Sequence, residues 1–172
     1  GMSGMAMGHA LIKAGFTNFM IYEKADRVGG TWRENNYPGV ACDVPSHLYS
    51  FSFERNPNWS EAFSPGGEIQ HYCEATAQKH GLLPYCAFNR KLTHTTYENG
   101  IWHLDFADGK SETADIVLCT RHAHENTCLV ATWSCRSPRS SVRQECAIAG
   151  RWQEQQWDRR RKRLKVGMVC MH

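Results

Sequence analysis

Over the first 120 residues, apolar and polar positions fall into short blocks that read directly as elements. Gly1-Met2-Ser3-Gly4 leads into Met5-Ala6-Met7-Gly8-His9-Ala10-Leu11-Ile12-Lys13-Ala14, which predicts a helix of about ten residues stopped by Gly15. Phe19-Met20-Ile21-Tyr22 is a continuous apolar run ending at Glu23, the pattern of a buried parallel strand. Residues 26–65 are rich in Gly, Pro, Asn and Ser with aromatics interleaved, which predicts a long functional loop region. Pro65 then opens a helix. Ile69, Tyr72, Cys73, Thr76, Ala77 and His80 share its inner face, and Gly81 closes it. Residues 91–97 and 101–106 alternate as strands around Asn99-Gly100, a strong hairpin signal. Asp108-Gly109 makes a second turn, and residues 114–120 read as one further buried strand. The order predicts an α/β domain with a small antiparallel β insertion.

Beyond Thr120 the pattern changes. Residues 121–172 show no helical or strand periodicity, and Arg159-Arg160-Arg161-Lys162-Arg163 forms a basic run. The net charge of +3 hides this change: residues 1–120 carry −4 and residues 121–172 carry +7. Asymmetry of this kind signals either a basic arm or a segment that does not share the domain's fold. The 41% hydrophobic and 22% charged composition is that of a globular chain, and no apolar run reaches the ~20 residues of a membrane helix. The eight cysteines have irregular spacing and no CxxC, and nothing reads as a signal peptide. Reduced thiols in a cytoplasmic protein are therefore expected. His122, His124, Cys128 and Cys135 match no standard zinc spacing, so no metal site is assigned.

The candidate chemistry begins at the glycines. In the dinucleotide fingerprint G-x-G-x-x-G, the second glycine lets backbone approach a pyrophosphate and the third lets helix and strand pack closely. Gly1 and Gly4 fit those two places, and the helix N-terminus behind them supplies N–H donors and a positive dipole end. Glu23 lies nineteen residues after Gly4 at a strand end, where its carboxylate could accept from ribose hydroxyls. The first glycine and its preceding strand are not found before Gly1, so the expected fold is an incomplete Rossmann-like domain, truncated at its N-terminus. An ordinary glycine-rich turn is the alternative.

Further blocks follow in order: Gly29-Gly30-Thr31-Trp32, Tyr37-Pro38-Gly39, Cys42-Asp43-Val44-Pro45-Ser46, Tyr49-Ser50-Phe51-Ser52-Phe53 and Phe63-Ser64-Pro65. With these, residues 1–120 resemble the FAD-binding domain of the flavin-dependent monooxygenases, in the Baeyer–Villiger and bacterial flavin-containing monooxygenase branch. The resemblance implies that Gly1, Ser3 and Gly4 cradle the FAD pyrophosphate and that Glu23, with Lys24 beside it, holds the adenosine ribose. It implies that Gly30, Thr31 and Trp32 line phosphates and flavin. Cys42, Asp43, Val44 and Tyr49 would lie near the isoalloxazine, and Leu92 would meet adenine through its backbone. Asp43 is the catalytic candidate: a carboxylate beside the flavin can hold an active-site guanidinium bidentately and help place the nicotinamide cofactor. A turn-forming role is the alternative for Asp43, and core packing is the alternative for Trp32 and Tyr49.

The implied reaction uses NADPH, FAD and O2. One oxygen atom passes through a flavin C4a-(hydro)peroxide into a ketone, or onto a nitrogen or sulfur centre. The family's second G-x-G-x-x-G domain for NADPH and its linking Phe-x-Gly and His-Trp signature are not found, and Arg121 stands where Gly is usual. Residues 121–172 are accordingly expected to be a basic, irregular or out-of-frame tail. The chain as given is expected to be marginally stable, to retain FAD weakly or not at all, and to be inactive on its own. A non-catalytic fragment with weak nucleotide binding, or a basic-tailed anion or nucleic-acid binding module, are the alternatives of other classes.

Overall fold

A computed structural model describes residues 1–120 and 165–170. Helix α1 spans Met2–Lys13 and strand β1 spans Phe19–Glu23. The glycine stop is where the pattern put it: Gly15 has φ +77°, its N–H donates to the Ile12 carbonyl, and the Phe16 N–H donates to Leu11. The long loop region contains one short helix, α2 (Thr31–Glu34), before α3 (Gly66–Lys79). A 3-10 turn, Leu83–Tyr85, leads into β2 (Cys86–Ala87), which is too short for periodicity to reveal.

Next come β3 (Leu92–Glu98), β4 (Ile101–Phe106) and β5 (Ser111–Ala114). They form an antiparallel sheet in the order β3-β4-β5. Asn99 (φ +52°) and Gly100 (φ +85°) both turn through the left-handed region, as a two-residue hairpin requires.

Two expectations change. The run 114–120 is not one strand: Ala114 ends β5, and Ile116–Thr120 forms β6 of a different sheet. The switch falls at Asp115, whose carboxylate and N–H both bond the backbone of Lys165. That long-range partner is invisible to local pattern. The second change concerns the segment beyond Thr120, most of which lies outside the described residues. Within it, Val166–Cys170 forms strand β7 rather than irregular chain. The larger sheet runs β2-β1-β7-β6, and every neighbouring pair is parallel. The interior place that looked vacant for want of a strand before Gly1 is thus held by β7. The zinc candidates His122, His124, Cys128 and Cys135, and the Arg-rich run, lie outside the described residues.

The core lies on both faces of this sheet. Met5 of α1 and Ile69, Tyr72, Cys73 and Ala77 of α3 pack with Cys42, Phe51 and Trp59 from the loop region. Tyr22, Leu92, Leu104, Phe106, Ala114 and Val117 fill the space between the parallel sheet and the β3–β5 meander. Among the described residues no helix is long and apolar enough to cross a membrane.

Candidate functional site

The strands of the parallel sheet end beside the start of α1, the place where open α/β sheets bind ligands. Gly1 is the N-cap of α1, and no side chain caps the helix, so its first-turn N–H groups face outward without a protein acceptor from a capping residue. Gly4 is buried and Ser3 exposed. Close packing of helix on sheet is enforced one turn further on, at a glycine the motif does not single out. A Cβ on Gly8 would stand 2.8 Å from Ile21 Cδ1 and 3.2 Å from Leu82 Cδ2.

Glu23 ends β1 and is only 2% exposed. Its Oε2 lies 3.3 Å from the Gly1 nitrogen, and its Oε1 accepts from the Ala25 N–H at 3.3 Å. Arg33 Nη1 stands 3.4 Å from the same Oε1 with its side chain 7% exposed. A buried carboxylate needs such compensation. Arg33 was not among the sequence candidates; its signal was a cation directly after Gly-Gly-Thr-Trp. Lys24 pairs at 2.9 Å with Glu34 Oε1, the oxygen that Arg33 Nη2 also reaches at 3.0 Å.

The Gly29-Gly30 turn launches α2. Gly29 has φ +122° and Gly30 φ +59°, and the Gly30 carbonyl accepts from Arg33 and Glu34 N–H groups. A Cβ at Gly29 would fall 1.6 Å from Gln70 Oε1 on α3. The Gln70 Nε2 donates to the Val28 carbonyl at 2.8 Å, which fixes the turn from below. Gly30 is buried and Thr31 exposed, so Thr31 is free to face a ligand.

Trp32 and Tyr49 meet edge-on, ring centroids 5.5 Å apart, and Trp32 Nε1 donates to the Tyr49 hydroxyl at 3.0 Å. Burial raises the Tyr49 phenol above its ordinary range and keeps it protonated, although the Trp32 bond acts the other way. The two candidates are therefore one unit, half-buried at the loop surface. Cys42 is buried and Val44 exposed on either side of Asp43. Asp43 is exposed, and its carboxylate makes no hydrogen bond or ion pair with the described residues. The turn-forming alternative required such a bond.

The loop carrying Asp43 is held by serines that the sequence reading passed over. Ser46 and Ser64 are both buried, their hydroxyls 2.8 Å apart, and the Ser64 N–H donates to Ser46 Oγ at 2.7 Å. The Ser46 N–H donates to Ala62 at 2.8 Å. Leu92 differs from the rest: its side chain is buried in the core under the meander. Its neighbourhood still touches the site, because the Arg90 N–H donates to the Glu23 carbonyl at 2.9 Å.

The family model for the NAD(P)-binding Rossmann-like domain matches residues 1–65. A Baeyer–Villiger monooxygenase of Pseudomonas aeruginosa is 43% identical over 120 residues, covering 69% of this chain and 23% of that protein. An uncharacterized monooxygenase of Mycobacterium tuberculosis is 48% identical over 98 residues, covering 57% of this chain and 20% of that one. These matches support a place in the flavin-dependent monooxygenase family. Among solved structures, an oxidized steroid monooxygenase bound to NADP superposes with a TM-score of 0.64 at 32% identity, over 68% of this chain and 24% of that chain. The chain thus spans about a quarter or less of the length of these relatives.

Against this family's expected site, the geometry gathers Gly1, Ser3, Gly4 and Glu23 at one edge of the sheet. It gathers Gly30, Thr31, Trp32 and Tyr49 around α2. Cys42, Asp43 and Val44 stand on the loop pinned by Ser46 and Ser64, Lys24 pairs with Glu34, and the Leu92 side chain is buried under the meander.

Proposed function

We propose that this chain is the FAD-binding part of an NADPH-dependent Baeyer–Villiger-type monooxygenase, which inserts one oxygen atom of O2 beside a ketone carbonyl. The observation that carries this reading is the meeting of an uncapped helix N-terminus with a buried carboxylate at the neighbouring strand end. That donor set suits a dinucleotide: N–H groups for the pyrophosphate, a carboxylate for the ribose hydroxyls. The family relatives named Baeyer–Villiger monooxygenase support the reaction class.

On this reading, backbone N–H groups at Gly1, Ser3 and Gly4 bind the pyrophosphate, and Glu23 accepts from the ribose, with Lys24 and the Leu92 backbone flanking the adenosine. Gly30, Thr31 and the Trp32–Tyr49 pair line the path towards the flavin, which Cys42, Asp43 and Val44 border. NADPH and FAD would supply hydride transfer and O2 activation, chemistry no side chain offers. Asp43 is the catalytic candidate: exposed and without a partner among the described residues, its carboxylate is available to a guanidinium or to the nicotinamide end of the cofactor. A cytoplasmic setting fits the reduced thiols of Cys42, Cys73, Cys86 and Cys119.

Fluorescence titration with FAD tests the reading. Glu23→Gln is expected to weaken FAD at least tenfold, with Glu23→Asp intermediate, while far-UV dichroism stays unchanged. Equal FAD affinity in all three proteins overturns it. NADPH-dependent O2 uptake by the whole enzyme, compared between a cyclic ketone and an organic sulfide, then separates ketone insertion from heteroatom oxygenation.

A further inference from the structure

Glu23 closes β1 and is buried, and its two carboxylate oxygens have different surroundings. Oε1 accepts the Ala25 N–H at 3.3 Å and stands 3.4 Å from Arg33 Nη1. Oε2 is turned towards the start of α1, 3.3 Å from the Gly1 nitrogen. One oxygen therefore belongs to the framework of the loop behind it. The other lies at the helix end that the proposed site uses, and a carboxylate oxygen can accept more than one bond.

Arg33 is nearly as enclosed as its partner, with a side chain 7% exposed. Its Nη1 donates to the Arg27 carbonyl at 2.7 Å, and its Nη2 donates to Glu34 Oε1 at 3.0 Å. Lys24 Nζ meets that same Glu34 oxygen at 2.9 Å. The turn that carries the Arg27 carbonyl is held from α3: Gln70 Nε2 donates to the next carbonyl, Val28, and to Glu74 Oε1, both at 2.8 Å. The guanidinium thus joins the end of β1, the turn after it and α2, and it cannot rotate without breaking one of these contacts.

This geometry gives Arg33 two effects on Glu23. It compensates a charge that would otherwise be buried alone. It also fixes the carboxylate plane through Oε1, so that Oε2 points in one direction. A lysine would supply the charge, but a point charge on a flexible stem cannot serve Glu23, the Arg27 carbonyl and Glu34 together.

We infer that Arg33 is a positioning residue: it holds Glu23 by Oε1 so that Oε2 is presented to the hydroxyls of a nucleotide's ribose, and it thereby makes the site select a ribose with both hydroxyls over one without them. The selection rests on the function proposed above; the pairing of Arg33 with Glu23 does not. A site built to bond a ligand's hydroxyls discriminates strongly against the ligand that lacks them. That discrimination exists only while the acceptor is charged and aimed, so it goes when Arg33 goes.

Two measurements on the full chain test this. The first is calorimetric titration of the flavin-free protein with ADP and with 2′,3′-dideoxy-ADP. The wild type is expected to favour ADP by about tenfold or more, as hydrogen bonds to a charged group allow. In Arg33→Met, ADP affinity is expected to fall by about tenfold while the dideoxy nucleotide binds as it does to the wild type, so the preference disappears. Arg33→Lys, which keeps the charge but not the fork, is expected to retain part of the preference, and it decides the matter if Arg33→Met does not fold. The second measurement is denaturant unfolding of Arg33→Met, Glu23→Gln and the double variant without ligand. The double variant is expected to lose less stability than the two single losses combined, because each single change leaves the other group buried without its partner.

An Arg33→Met chain that weakens both nucleotides by the same factor overturns the positioning role, since a general loss of structure acts on both alike. Full retention of the ADP preference in either Arg33 variant does the same. Additive losses in unfolding overturn the pairing itself. Non-additive unfolding in a wild type that binds neither nucleotide supports the pairing and overturns the proposed function instead. A wild type that binds ADP and dideoxy-ADP equally overturns the ribose selection and leaves nucleotide binding in place.

Discussion

Gly29 carries more constraint than any other residue of the Gly-Gly-Thr-Trp block. Its φ of +122° disfavours every L side chain, and the space a Cβ needs is taken by Gln70 Oε1. Gly29→Ala is expected to cost about 2–4 kcal/mol in denaturant unfolding. Adding Gln70→Ala should return only the steric part of that loss, leaving the backbone part. Cys73 makes the opposite case, a side chain sealed away. Burial pushes its thiol up to about 12, so only about one molecule in 10⁴ is thiolate at pH 8. Iodoacetamide should label it at a negligible rate in the folded chain, and peptide mapping before and after denaturation checks this. The residue pattern announced the glycine turn at Gly29-Gly30, and the place of Glu23 at a strand end was legible from the apolar run before it. Arg33, Gln70 and the Ser46–Ser64 pair were not legible, because each acts on a group far away in sequence: Arg33 on β1, Gln70 on the Val28 carbonyl, and Ser64 on Ser46 eighteen residues earlier.

At the scale of elements, α3 is the bracket for the long loop region. The Tyr72 hydroxyl accepts the Phe51 N–H at 2.8 Å and donates to the Glu54 carbonyl. Tyr72→Phe leaves a buried N–H without its acceptor, and a loss of about 1–3 kcal/mol is expected in thermal or denaturant melts. The far end of α3 holds the same loop through charge. Hydrogen bonds from Lys79 and His80 hold the Glu54 carboxyl below its usual range. That contribution is present above the ordinary carboxylate pKa and is lost as pH falls through the lowered value. His9 lies stacked on Phe53, and burial, with the charges of His80 and Lys13, lowers its pKa below 6.5. On acidification through 6.5 the unfolded chain takes up this proton first, so folding weakens there. The unfolding midpoint should therefore fall in two steps. His9→Phe removes the step near pH 6.5, and Glu54→Gln shrinks the acid one, to which Glu68, held low by its hydrogen bonds from Ser60, also contributes. Long periodic elements were readable: α1, α3, β1 and the Asn99-Gly100 hairpin follow the apolar spacing. The break at Asp115 was not, since residues on both sides of it are apolar and only a bond to Lys165 separates the two sheets. Strand β7 hid because five residues beside a basic run give periodicity too little length.

For the whole molecule, the charge split between residues 1–120 and 121–172 marks a change of composition but not the edge of the fold, since Val166–Cys170 lies inside the sheet. Register partners such as Phe19 and Val166 come from almost opposite ends of the sequence. Long-range parallel pairing of this kind makes folding slow. Pulse-labelled exchange during refolding should therefore show the β3–β5 meander protected early, with β1 and β6 protected late and together. The same wiring has a consequence for synthesis. Of the described strands, 166–170 leaves the ribosome last, so its pairing with β1 and β6 can form only after both of those strands are out. Until that pairing forms the growing polypeptide is a target for chaperones and for edge-to-edge aggregation.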